Sequence, residues 1–139
     1  MKIKFAIYGL LGLCSEILFT GIGSLMRGDL KLTGYTYMWM FPIYGLGLML
    51  EPIHNKIRSW PVVLRGCVYT ALIFSIEYIT GFLLNNLIGV CPWDYGNVKT
   101  SINGYIRLDF TPLWFLLGLT FEKVHDFMDE MLALYFSVK

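Results

Sequence analysis

Four carboxylates in this chain sit where charge is costly. Glu16, Glu51, Glu77 and Glu122 each fall within or at the end of an apolar stretch. A charge at the middle of a bilayer costs about 2.5–3.5 kcal/mol on insertion scales. Such groups face a bundle interior, where they bind a cation, share protons or meet hydrogen-bonding partners. The only two histidines complete one repeated pattern, Glu51-Pro52-Ile53-His54 and Glu122-Lys123-Val124-His125. Positions three apart share a helix face, so each carboxylate and its imidazole can reach one ion. Four-helix di-metal carboxylate proteins use a Glu on each of two helices and Glu-x-x-His on the other two. Glu16, Glu51 with His54, Glu77, and Glu122 with His125 match that inventory, and iron or manganese would suit such ligands. Depth speaks against it. Glu51 lies about 24 Å from the outer end of its helix and Glu122 about 15 Å. Pro52 also disfavours helical geometry at Glu51, which instead suits the start of a short interfacial helix.

The elements that must position these groups follow from composition. The chain has 139 residues, 56% hydrophobic and 15% charged, with mean hydropathy +0.59. Soluble domains carry about 25% charged residues, and so many apolar side chains would not fit inside a soluble globule this small. Ten acids against eleven bases leave the net charge at +1, so nothing points to nucleic acid as a partner. The expected fold is an all-α membrane protein of one domain, a four-transmembrane-helix bundle in contact with the lipid bilayer. Spans of about 20 apolar residues are expected near 5–24, 35–50, 62–90 and 112–136, with a polar lid loop over 91–111. In the last helix Phe121, Val124, Met128, Met131, Leu132 and Tyr135 recur at spacings of three and four, an amphipathic face. Asp126 and Asp129 read as a solvated acidic stripe.

Lys2, Lys4, Lys56, Arg58, Arg65 and Lys139 fall on one side of this arrangement, and Arg27, Lys31, Lys99 and Arg107 on the other. The excess places both termini in the cytoplasm. The bases thus gather at the rims, and few cations are left to meet the interior carboxylates. Arg65 is about 18 Å from Glu77 along a helix, too far to pair with it there. Tyr44 and Tyr78 are hydroxyls inside the spans that can serve the same polar interior. In the loop, Asn103-Gly104 tolerates positive φ at both positions and predicts a small hairpin over 100–107. Asp94, Arg107 and Asp109 are candidates to pair across it. Cys14, Cys67 and Cys91 lack any paired or metal-binding spacing and read as packing residues.

Several stretches resemble the bacterial family called putative ABC-transporter type IV permeases. They include Cys14-Ser15-Glu16-Ile17, Gly34-Tyr35-Thr36 with Trp39-Met40, Phe41-Pro42-Ile43-Tyr44-Gly45-Leu46, and Glu77-Tyr78 with Gly81. The most specific is Cys91-Pro92-Trp93-Asp94-Tyr95, followed here by Gly96 where the family usually has Ser; Asn103-Gly104, Ile106-Arg107-Leu108-Asp109, Pro112, Trp114-Phe115 and Phe121-Glu122 complete it. The resemblance implies a small multi-pass protein of the bacterial cytoplasmic membrane. The chain has no Gly-x-x-x-x-Gly-Lys-Ser/Thr loop, so any ATPase would be a separate subunit, docking near Asn55–Trp60 or on the last helix. Four spans are few for one permease, which makes a homo-oligomer the natural form. Three functions are therefore expected in order: a permease whose Glu16, Glu77 and Glu122 bind a cation or relay protons; a di-metal enzyme; and a non-catalytic membrane scaffold.

Overall fold

The computed structural model describes residues 2–137, which leaves Lys139 outside the described residues. It is mostly helical. Helix α1 is Lys2–Met26, α2 Met40–Gly45, α3 Glu51–Ile57, α4 Val62–Ile88 and α5 Thr111–Ser137; strands β1 (Ser101–Ile102) and β2 (Ile106–Arg107) form one antiparallel hairpin. Among the described residues two helices, α1 and α4, are long and apolar enough to cross a membrane. The chain divides into two compact units, one ending at Met49 and one starting at Leu50.

In the first unit α1 ends in a backbone-capped turn. Gly28 takes φ +90°, its N–H bonds to Leu25 O, and the Asp29 N–H reaches back to Ser24 O. That double bond pattern closes a helix where a residue without Cβ can adopt the left-handed conformation. The expected second span begins late. Residues 32–37 have no regular structure, because Thr20 Oγ1 accepts the Tyr35 N–H at 2.9 Å and so replaces a helical bond. Helix α2 packs on α1 through glycines. A Cβ at Gly9 would lie 2.8 Å from the Phe41 ring and from the Phe41 carbonyl oxygen, and one at Gly12 would overlap Tyr44.

After α2 the chain tightens into a 3-10 turn over Leu46–Leu50 and resumes as α3. The cause is Pro52. Its ring clashes with the carbonyl four residues back and it has no N–H to offer, so a regular α-helix cannot run through it. Where one helix was expected to end at residue 50, α2 stops at Gly45 and a separate short helix, α3, starts after the 3-10 turn, with Glu51 in its first turn.

In the second unit α4 and α5 pack together with an aromatic ring against a glycine in each direction. Phe115 fills the space over Gly66, and Tyr69 that over Gly118. Helix α4 stops at Gly89, whose φ of +73° lets its N–H cap Asn85 O. The buried face of α5 is Gly118, Glu122, His125 and Met128. Of the expected apolar stripe Met128 is buried, whereas Met131 and Tyr135 are exposed. The inward stripe has the predicted period but is rotated to carry polar groups. The hairpin turn forms at Asn103 and Gly104, with φ +51° and +77°, and the Tyr105 N–H closes it on Ile102 O.

Candidate functional site

A polar cluster lies in the second unit among α3, the start of α4 and the middle of α5. Glu122 is its centre, with 7% of its surface exposed. Arg65 approaches it side-on, with Nε 2.8 Å from Oε1 as an ion-pair contact and Nη2 donating to Oε2 at 3.1 Å. The other guanidinium nitrogen, Nη1, donates to the carbonyls of Arg58 and Trp60 at 3.1 and 3.0 Å. Arg65, expected at the rim, is thus one of the few cations that meet an interior carboxylate. Arg65 sits in the first turn of α4 and turns toward α5, not toward Glu77 on its own helix.

Tyr69, one turn after Arg65, is fully buried and donates its hydroxyl to Glu122 Oε1 at 3.0 Å. The same hydroxyl lies 2.9 Å from His54 Nδ1. His54, 2% exposed, places Nε2 3.5 Å from Asp126 Oδ1, and Asp126 Oδ2 accepts from Arg58 at 2.7 Å. His125, also 2% exposed, stands edge-on to His54 with ring centroids 5.3 Å apart. Its Nδ1 is 3.3 Å from Glu51 Oε1 and its Nε2 is 3.4 Å from Asp129 Oδ2. Phe121 stacks on the His125 ring. Four carboxylates, Glu51, Glu122, Asp126 and Asp129, thus face two guanidiniums, Arg58 and Arg65, a formal excess of two negative charges when both imidazoles are neutral.

Both Glu-x-x-His pairs therefore meet, but Glu77 does not join them. Glu77 lies elsewhere: its Oε2 accepts the Trp114 indole N–H at 3.1 Å. It is about 12 Å along α4 from Tyr69. Glu16 belongs to the first unit, where Thr36 and Tyr44 donate to its Oε2 at 2.9 and 3.2 Å. Asp126 was expected on a solvated face and instead closes the cluster beside Arg58. Tyr69, Arg58 and Arg65 also went unassigned as site residues. Their signal was present in spacing: Arg65 and Tyr69 are four apart, as are Glu122 and Asp126, and each pair shares a helix face.

The lid residues form a separate assembly in the same unit. Trp93 donates its indole N–H to Tyr105 O at 2.9 Å, and Asn103 donates to the Tyr78 hydroxyl at 2.8 Å. Asp94 does not pair across the hairpin with Arg107; its Oδ1 accepts the Gly96 N–H at 2.7 Å. Arg107 instead grips Asp109 through Nε at 3.2 Å and Nη2 at 2.5 Å, and lies over the Tyr95 and Phe110 rings. The Arg107 bonds, followed by that from Thr100, hold the Asp109 carboxyl down to about 2. Cys91 is half-buried beside Pro92, and burial pushes its thiol above the ordinary range. Cys14 and Cys67 are exposed and not packed as expected.

No solved structure matches this chain. A family model does, described as putative ABC-transporter type IV and matching residues 3–137, nearly the entire length. That span takes in the α3–α5 cluster and the lid together, and it agrees with the stretches read from the sequence. The chain belongs to the putative ABC-transporter type IV family.

Proposed function

We propose that this protein is a multi-pass permease-like subunit of the bacterial cytoplasmic membrane that moves protons through the α3–α5 cluster. One observation carries the reading: a hydrogen-bonded line of acid–base groups runs from His54 through Tyr69 to buried Glu122, with Asp126 facing its outer end. The steps are 3.5 Å from Asp126 to His54, 2.9 Å from His54 to Tyr69 and 3.0 Å from Tyr69 to Glu122. Imidazole is the side chain that ordinarily changes charge between pH 5 and 8, and polar groups within membrane segments commonly mark proton paths. A second branch, Asp129–His125–Glu51, joins beside it.

Proton handling suits Glu122 better than direct cation binding. Both of its oxygens already carry Arg65, and one also carries Tyr69. A cation there would have to displace a guanidinium. In this reading Glu16, with Thr36 and Tyr44, and Glu77, with Trp114, fix local helix packing. The lid built on Cys91–Asp109 covers the outer side, and a separate ATPase subunit docks near Asn55–Trp60. The functional unit is a homo-oligomer.

The test is proton flux in inverted membrane vesicles, which retain any partner subunit. Tyr69→Phe breaks the line but keeps the ring, and His54→Gln removes the imidazole. Both are expected to abolish the flux that depends on this chain, while Glu16→Gln retains it. Wild-type flux in both Tyr69→Phe and His54→Gln would overturn the reading.

A further inference from the structure

We infer that His54, His125 and Asp126 form a mononuclear site for a divalent first-row transition metal. The argument starts from one proton. Glu122 is an acceptor held by Arg65, so the Tyr69 hydroxyl spends its only hydrogen on Glu122 Oε1. Toward His54 it can then only accept, at 2.9 Å, which puts the imidazole proton on Nδ1. His54 Nε2 is left as a bare lone pair. It is buried, on a side chain 2% exposed, and has no hydrogen-bond partner. It faces Asp126 Oδ1 at 3.5 Å, a second lone-pair donor. Two such atoms turned toward each other, one of them fully buried, repel unless a positive charge lies between them.

A second imidazole selects what that charge is. His125 stands beside His54 with ring centroids 5.3 Å apart. One ligand atom from each of His54, His125 and Asp126 lies within 4.8 Å of the others. A tetrahedral ion with bonds of about 2.1 Å needs its ligands about 3.4 Å apart, so small side-chain rotations close the site. Charging both imidazoles would instead set two cations edge to edge. Two nitrogens and one carboxylate oxygen suit zinc or ferrous iron over calcium or magnesium. A divalent ion also cancels the formal excess of two negative charges counted in the cluster. Tyr69 then plays the part of an outer partner that orients a ligating histidine through its other nitrogen. The site differs from the dinuclear arrangement in using Asp126 and neither Glu16 nor Glu77. It does not depend on proton movement, because binding is measured without transport.

The test uses the full chain purified in detergent, freed of metal with a chelator and titrated with zinc. Expected are about one zinc ion per chain, and a visible absorption spectrum of tetrahedral type when cobalt replaces zinc. Asp126→Asn is expected to weaken binding by at least about tenfold with helix content unchanged. Tyr69→Phe, which removes no ligand, is expected to weaken it by about 10–100-fold. Zinc binding well below one per chain, or unchanged in Asp126→Asn, would overturn the site. Unchanged affinity in Tyr69→Phe would overturn the tautomer argument on which it stands.

Discussion

Glu122 and Arg65 can be exchanged together but not separately. With side chains 9% and 18% exposed, each depends on the other to remain charged inside the fold. Removing one partner of a buried pair costs about 3–5 kcal/mol, because the other is left uncompensated. Glu122→Gln is therefore expected to lower unfolding stability in mild detergent by about that amount, and the double variant Arg65→Met with Glu122→Met to recover most of it. A single variant as stable as wild type would show that the pair is not held in the dry interior. At the hairpin the sign of the pH effect follows from Asp109. Its carboxyl falls from 3.8 to about 2 in the folded chain. A depressed carboxylate stabilises fully above its unfolded value and loses that contribution as pH falls through the folded one. The Arg107–Asp109 contact is thus expected to be intact at pH 4 and lost near pH 2, read from the side-chain carboxyl signal of Asp109 by NMR. A midpoint near 3.8 would mean that the contact does not persist in solution.

Helix contacts in both units rest on missing side chains. Gly9, Gly12 and Gly45 meet Phe41, Tyr44 and Phe5, and Gly66 and Gly118 meet Phe115 and Tyr69. Small residues of this kind let backbones approach where lipid offers no hydrophobic drive toward association. A methyl at Gly9 would press on the Phe41 carbonyl oxygen at 2.8 Å, and backbone cannot swing aside as a side chain can. Gly9→Ala is expected to destabilise the first unit by about 1–3 kcal/mol in thermal unfolding. An unchanged melting temperature would mean that α2 is not seated on α1 in this way. The short helices also explain how Glu51 is used. Because Pro52 stops a continuous helix, Glu51 falls in the first turn of α3, three residues before His54, and its Oε1 reaches His125. A single straight helix ending at residue 50 would not contain α3.

At the scale of the molecule, the outward faces of α1 and α4 are apolar. Leu18, Phe19 and Ile22 on α1, and Val63, Leu64 and Ile79 on α4, are all more than half exposed. Apolar surface of this extent marks contact with lipid or another protein. The proposed arrangement, with the lid outside and the ATPase-docking stretch inside, makes a specific demand on labelling. In a cysteine-free background, Asn97→Cys in the lid loop should react with an impermeant maleimide from outside intact cells. Asn55→Cys should react only after the cells are opened. Labelling of both from the same side would eliminate an arrangement in which the lid and the α3 region face opposite compartments.

Much of the element pattern was legible in the sequence. Apolar runs determine α1 and α4, and apolar spacing extends α5, each to within a few residues, since length and hydropathy are local properties. Asn103-Gly104 determines the hairpin turn for the same reason, because the φ preference belongs to the residues themselves. The two Glu-x-x-His repeats pointed to side chains that the fold brings together. What only the tertiary structure decided was which groups meet. Arg65 looked like a rim charge and became the partner of Glu122, fifty-seven residues away. Asp126 looked solvated and closed on His54 and Arg58. Glu77 looked equivalent to Glu122 and found Trp114. Such pairings depend on the rotation of one helix against another. Apolar periodicity fixes that rotation poorly when both sides of a helix are oily, and here a glycine–aromatic fit between α4 and α5 turned the polar face of α5 inward.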